Sequence, residues 1–217
     1  MKSAMSVLFD MDGTLIDSEP THYQAMVYAI THLGGLIPEN FMEQATGMSI
    51  EDCYKVLNTH AAVDFSLAQL EQVKSVSYLK LVSTLTTRAG ANSALDLLSN
   101  RCVKMAIVSN SDRVIVDANL RAVGLNSPGL ISVSRNDVVM GKPDPEPYLR
   151  AAYLLGAEPK NCIVVEDSIV GAMSGLAAGM TVIGWPDPQR THIGFPDGTH
   201  TANPHDLAST LRSLLSI

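Results

Sequence analysis

Short apolar runs rich in β-branched residues recur along the chain, at Ser6 to Phe9, Val103 to Val108, Leu130 to Val133, Cys162 to Val165 and Met180 to Gly184. Near-continuous apolar strands separated by helical patterns predict a parallel sheet covered on both faces. The intervening helices have readable ends. Ser111 stands where it can cap a helix with an apolar face of Val116, Leu120 and Val123, ending at Gly124. Asp144 and Pro145 read as the N-cap and first residue of a helix that stops at Gly156. Ile169, Ala172, Met173 and Leu176 form the apolar stripe of the next, which Gly179 ends. Asn203 to Asp206 has capping-box spacing ahead of a last helix, Leu207 to Leu215.

Residues 17–88 carry a different pattern, helical and without a convincing strand. Ala25, Ala29 and Leu33 share one helical face, and Leu67, Leu70, Val73 and Val76 lie near one stripe. The expected fold is therefore α/β, a Rossmann-like doubly wound parallel sheet core with an inserted α-helical cap domain. The core takes residues 1–16 and 89–217, and the cap takes 17–88.

Composition narrows the partners. The formal net charge of -7 argues against a nucleic-acid partner, which requires a basic surface. A small anionic substrate stays compatible, because a pocket has its own local field. Cys53, Cys102 and Cys162 are odd in number and widely spaced, which fits reduced thiols better than a disulfide framework or a zinc site. No apolar run approaches the roughly 20 residues needed to span a bilayer, and no secretory signal pattern is visible. The expected location is cytoplasmic, with no membrane partner; the oligomeric state is not readable.

Four short segments carry chemistry, each just after a predicted strand. Ligands of open parallel sheets bind beyond the carboxyl ends of the strands, so the four should converge. The first is Asp10-Met11-Asp12-Gly13-Thr14, where two carboxylates project to one side and suit a nucleophile and a general acid/base. The second, Ser109-Asn110-Ser111, offers hydroxyl, amide and free N–H groups at a helix N-terminus, an anion site. In the third, Gly141 to Pro145, prolines stiffen a loop that holds Lys142 as a point charge. The fourth is Glu166-Asp167-Ser168, adjacent acids with the character of a hard-cation site. Taken singly, each also reads as ordinary local structure: a turn, a helix cap, a solvated lysine, a second cap. Together they crowd Asp10, Asp12, Glu166 and Asp167 into one place. At about 4 Å and an effective dielectric near 20, each like-charge pair costs about 4 kcal/mol. Lys142 cannot balance that alone, and an oxygen-only donor set favours Mg²⁺.

These segments, in this order with a helical insertion between the first two, resemble the haloacid dehalogenase-like hydrolase superfamily over the whole chain. Within it the chain is similar to the phosphatases and β-phosphoglucomutases with small helical caps. The resemblance implies that Asp10 attacks phosphorus and becomes a phospho-aspartate. Asp12 then protonates the leaving oxygen and later activates water. Ser109, the N–H of Asn110 and Lys142 would hold the phosphoryl oxygens. Asp10, the main-chain oxygen of Asp12, and Asp167 would hold Mg²⁺, with Glu166 a further ligand or a support for one. In the cap, Gly47 lies in a run resembling the substrate loop, His22 matches a histidine of the mutases, and Lys74 matches a cap lysine of theirs. Ile50 stands where those mutases carry an arginine that grips a second phosphate.

The expected activity is a Mg²⁺-dependent phosphatase of a small phosphorylated metabolite. The alternative is a phosphosugar mutase, which Ile50 counts against. A phospho-accepting signalling receiver is a remote alternative, because receivers lack an inserted cap. Nothing among the acids points to an inactive relative used for binding.

Overall fold

The computed structural model describes residues 5–41, 49–60, 63–189 and 194–216. They form two compact units, one of residues 1–17 with 86–217 and one of residues 18–85.

The first unit contains the expected parallel sheet. Its strands are β1 (Ser6–Asp10), β2 (Lys104–Val108), β3 (Ile131–Val133), β4 (Cys162–Glu166), β5 (Thr181–Gly184) and β6 (Thr199–Thr201). Their order is β3-β2-β1-β4-β5-β6, and every pairing is parallel. The winding therefore reverses between β1 and β4, the place where an open parallel sheet gathers functional groups beyond its strand ends. Phe9 stands beside Ile107 on one side and Val165 on the other, which brings the ends of β1, β2 and β4 together.

β6 was not among the strands expected from the sequence. It reads Thr-His-Thr, lies at the sheet edge and is largely exposed, so no apolar run marks it. Short polar edge strands of this kind resist edge-to-edge pairing.

Alternation along the strands sends side chains to two buried faces. Leu8, Ala106, Val108, Val133, Val164 and Val182 pack under Tyr148, Ala151, Ala152 and Ala172. Tyr148, Ala151 and Ala152 come from α6 (Glu146–Leu155) and Ala172 from α7 (Ile169–Ala177). Val7 and Phe9 alternate to the opposite face and are fully buried as well. Two further helices of this unit, α4 (Ala91–Ser99) and α8 (Leu207–Leu215), pack on each other.

Several local expectations are corrected. α7 does not bury Ile169, Ala172, Met173 and Leu176 as a stripe. It turns Gly171, Ala172, Ser174 and Gly175 to the sheet, leaving Ile169 44% and Met173 47% exposed. The small face wins because a Cβ on Gly175 would sit 2.9 Å from Val182, so only a thin surface can dock there. Helix α5 (Arg113–Ala122) has Asp112 as its N-cap, not Ser111, while Gly124, at φ +72° just past the C-cap Val123, ends it as expected. Helix α6 begins at Glu146 with Pro145 as N-cap, and Asp144 accepts the Glu146 N–H instead. Asp206, rather than Asn203, caps α8 by accepting from the Ser209 N–H.

The second unit is helical: α1 (Glu19–His32), α2 (Ile50–His60) and α3 (Leu67–Leu81). Met26, Ala29, Ile30, Phe41, Cys53, Leu57, Phe65 and Leu70 form its core. α3 opens with a capping box, in which Ser66 and Gln69 satisfy each other's backbone N–H groups. The stripe expected on α3 is only partly used. Leu70 is buried and Val73 packs on the core, but Val76 is half-exposed while Ser77 and Tyr78 turn inward. Tyr78 does so because it stacks on His22 of α1, ring centroids 4.2 Å apart.

Candidate active site

β1 is buried along its whole length and ends in Asp10. Its pairing with β2 and β4 sets that carboxylate beside the ends of both neighbours. Asp10 Oδ1 accepts from Lys142 Nζ at 2.6 Å, and its Oδ2 is buried without a hydrogen-bond partner among the described residues. A buried carboxylate oxygen left this way costs free energy unless something else engages it.

Lys142 comes from the loop before α6. Its ammonium donates to Asp10 Oδ1 at 2.6 Å, Glu166 Oε1 at 2.6 Å and the Val108 carbonyl at 2.9 Å. An ammonium has three protons, so all three have acceptors here. Asn110 holds the loop in place. Its Nδ2 donates to the Lys142 carbonyl at 3.1 Å, and its Oδ1 accepts from the Lys142 N–H at 2.9 Å.

Glu166, at the end of β4, is fully buried. Its Oε1 also accepts from the Tyr148 hydroxyl at 2.6 Å, and its Oε2 accepts from Ser168 Oγ at 2.9 Å. Asp167 Oδ1 accepts from Thr14 Oγ1 at 3.1 Å. Gly13 arches over this group at φ +80°, and a Cβ there would lie 2.5 Å from Asp167 Oδ2. Both the backbone conformation and the close approach require glycine. One carboxylate oxygen each from Asp10, Glu166 and Asp167 lie within 4.8 Å of one another, a donor set able to hold a metal ion.

The electrostatics follow from this crowding. Burial first, then the negative charge of Glu166, pushes the Asp10 carboxyl well above the usual range, against the pull of Lys142. Burial works against the charge of Lys142, but Asp10 and Glu166 outweigh it and raise its pKa. Burial and the adjacent Glu166 also raise the Tyr148 phenol, keeping it a donor.

Asp12 occupies a different environment. Its Oδ2 accepts from Ser109 Oγ at 3.1 Å and Ser111 Oγ at 2.9 Å, and its Oδ1 accepts from Asn119 Nδ2 at 3.1 Å. These three donors are neutral, whereas an ammonium faces Asp10.

The structure therefore brings together Asp10, Asp12, Ser109, Asn110, Lys142, Glu166 and Asp167. His22, Ile50 and Lys74 belong to the helical unit. His22 stacks on Tyr78, Ile50 opens α2 and packs on that unit's core, and Lys74 lies mid-way along α3. Gly47 lies outside the described residues.

Sequence reasoning missed Tyr148, Asn119 and Arg88, and gave Ser111 both a capping role and a place in the anion-site segment, but no link to Asp12. Tyr148 reads as one more core residue of α6. Asn119 carried a readable signal, a lone amide beside Leu120 on the apolar face of α5. Arg88 is buried, lies 3.8 Å over the Trp185 ring and donates to the carbonyls of Gly13, Trp185 and Pro186. By pattern alone it is the last residue of the inserted segment 17–88.

Comparison with known proteins shows what the whole chain is similar to. Residues 7–185 match the model of the haloacid dehalogenase-like hydrolases. Hexitol phosphatase A of Escherichia coli (strain K12) is 33% identical over 188 residues, 85% of this chain and 84% of that protein. The 6-phosphogluconate phosphatase of the same organism is 30% identical over 204 residues, 92% of this chain and 90% of that one. A crystal structure of a hydrolase from Pseudomonas syringae superposes with a TM-score of 0.79 at 25% identity, covering 97% of this chain and 99% of that one. No helix among the described residues is long and apolar enough to cross a membrane. The family match runs from the strand that delivers Asp10 to the residue that follows β5, and by that match this chain belongs to the haloacid dehalogenase-like hydrolases.

Proposed function

We propose that this enzyme is a Mg²⁺-dependent phosphatase of a small phosphorylated metabolite, of the sugar-phosphate class, acting through a phospho-aspartate at Asp10. The observation that carries the reading is the Asp10 carboxylate. One oxygen is pinned by Lys142, and the other is buried without a hydrogen-bond partner among the described residues, beside two more acids.

The donor set fits a hard cation: oxygen atoms only, from three carboxylates that repel one another. Asp10, the main-chain oxygen of Asp12, and Asp167 would hold Mg²⁺, with Glu166 supporting them through Lys142 and Tyr148. When bound, the ion neutralises the acids and the phosphoryl oxygens. The chain's own residues then divide the work. An Asp10 oxygen forms the new bond to phosphorus as the bond to the leaving oxygen breaks. Asp12 gives its proton to that oxygen, releasing an alcohol. Asp12, now a carboxylate, takes a proton from the water that attacks the phospho-aspartate, and Asp10 is restored. Ser109, the Asn110 N–H and Lys142 orient the phosphoryl group. To do so Lys142 must exchange one of its three present acceptors.

The substrate class is proposed from the relatives, which are named for hexitol and 6-phosphogluconate phosphatase activity. The helical unit is proposed as a cap that sets specificity. Ile50, packed on that unit's core, offers no grip for a second phosphate, which favours hydrolysis over return of the phosphate to the sugar.

The test is phosphate release from a panel of sugar and polyol phosphates, with Mg²⁺ and with EDTA, for the parent and Asp10→Asn. Mg²⁺-dependent release that the variant loses is expected. Full activity in D10N would overturn the nucleophile assignment. Conversion of β-glucose 1-phosphate to glucose 6-phosphate with little free phosphate would replace hydrolysis by the mutase reaction.

A further inference from the structure

Asn119 is a polar residue in an apolar place. It lies on the buried face of α5 with Ile115, Val116 and Leu120, and it is fully buried. Asparagine is a weak helix former, and a buried amide must be hydrogen-bonded to be tolerated. Its Nδ2 donates to Asp12 Oδ1 at 3.1 Å, across 107 residues of sequence. We infer that Asn119 is a positioning residue, holding Asp12 in the orientation from which it exchanges protons with the leaving oxygen and with water. The inference rests on the proposed acid/base role of Asp12.

The argument turns on what each neighbour can do. An amide NH₂ only donates, so the Asp12 oxygen facing it stays an acceptor whether or not the carboxyl is protonated. The two hydroxyls at the other oxygen, from Ser109 and Ser111, can either donate or accept. Oδ1 is therefore fixed and Oδ2 is the oxygen that can carry a proton. Rotation of a carboxylate about its last torsion is broad and nearly two-fold, so the side chain's own preference does not select between the oxygens. Without Asn119 the two interchange, and the proton is delivered from a scattered position. The serines cannot replace the amide. Ser109 Oγ also accepts the Ser111 N–H at 2.9 Å, which ties both to the turn before α5.

This reading separates proton delivery from attack on phosphorus. Phenyl phosphate has a poor leaving group that needs a proton. 4-Nitrophenyl phosphate has almost the same shape, and its leaving group departs without one. First-turnover release of the phenol should be measured for both esters with the parent, Asn119→Leu and Asp12→Asn, alongside melting temperature. Leucine has the same branching and number of side-chain heavy atoms as asparagine and suits the apolar face, though it is larger; Asn119→Ala serves if N119L does not fold. N119L is expected to slow release from phenyl phosphate about tenfold or more. Release from 4-nitrophenyl phosphate should stay within about twofold of the parent. An equal loss with both esters, or no loss with either, would overturn the inference. D12N separates the two levels: if it fails to show the same selectivity, the acid role of Asp12 is wrong. If D12N is selective and N119L is not, only the role of Asn119 is wrong.

Discussion

Lys142 links two buried acids, and removing it should be more damaging than removing either hydrogen bond alone. Its side chain is 4% exposed, and its partners Asp10 and Glu166 are 11% and 0% exposed. Lys142→Ala would leave two carboxylates facing each other with little water between them. A loss of about 3–5 kcal/mol of stability is expected in chemical denaturation, since a broken buried pair strands its charge. Lys142→Arg should not restore activity, because a planar fork cannot direct donors to the Val108 carbonyl and both acids as the ammonium does. Which residues could be read beforehand follows from the same physics. Asp10, Asp12, Glu166 and Asp167 are conspicuous because acids at the ends of apolar strands need a reason to be there. Tyr148 and Asn119 are not, because their hydrogen-bond partners are distant in sequence and only the fold supplies them. Capping was expected of Ser111 because a serine before a helix is an ordinary cap, and nothing local shows that its hydroxyl turns instead to Asp12.

Among the elements, α7 shows most plainly how the site constrains packing. A Cβ on Gly171 would fall 1.8 Å from Glu166 Oε1 and 2.2 Å from Oε2. The helix therefore presses its backbone against the very carboxylate that receives Lys142, Tyr148 and Ser168. Gly171→Ala is expected to lower stability by about 1–3 kcal/mol through overpacking. It should cut turnover more than its stability loss explains, which activity assays well below the melting temperature would reveal. The same contact accounts for the misjudged stripe. Sequence periodicity finds apolar residues, but here the docking face is made mostly of glycine, alanine and serine; Leu176 packs at its margin, while Ile169 and Met173 are left outside. The central strands were readable because they are buried on both faces; β6 was not, because a polar edge strand carries no such pattern.

For the whole molecule, the reversal of winding between β1 and β4 gathers acids from distant parts of the chain without enough positive charge to balance them. Cation binding should therefore stabilise the protein measurably. At a free Mg²⁺ concentration about 100 times the dissociation constant, linkage gives about 2.7 kcal/mol. For a chain of this size that corresponds to a rise in melting temperature of about 5–10 °C. Scanning calorimetry with Mg²⁺ and with EDTA measures it, and Asp167→Asn should remove most of the difference. A shift of equal size in D167N would mean that the ion binds elsewhere. The parallel sheet, the site's place at the carboxyl ends of its strands and the presence of an inserted helical segment follow from the alternation of apolar runs and helical patterns; the order of the strands comes from the fold alone.

The point where the chain leaves the sheet unit and returns to it is itself tied. Ile16 bridges to Thr87, the Asp17 N–H donates to the Thr86 carbonyl at 3.0 Å, and the Arg88 N–H donates to the Leu15 carbonyl at 2.9 Å. The two ends of the insertion are thus neighbours, like the two strands of a hairpin whose loop happens to be residues 18–85. In evolutionary terms that makes the insertion a cassette. Its length and sequence can drift, or be traded for another, while the junction holds the remainder in register. A short glycine-serine turn joining Asp17 to Thr86 should give a folded sheet unit that still gains stability from Mg²⁺ and has lost its choice among substrates. A product that fails to fold would show that the two units depend on each other for more than this junction.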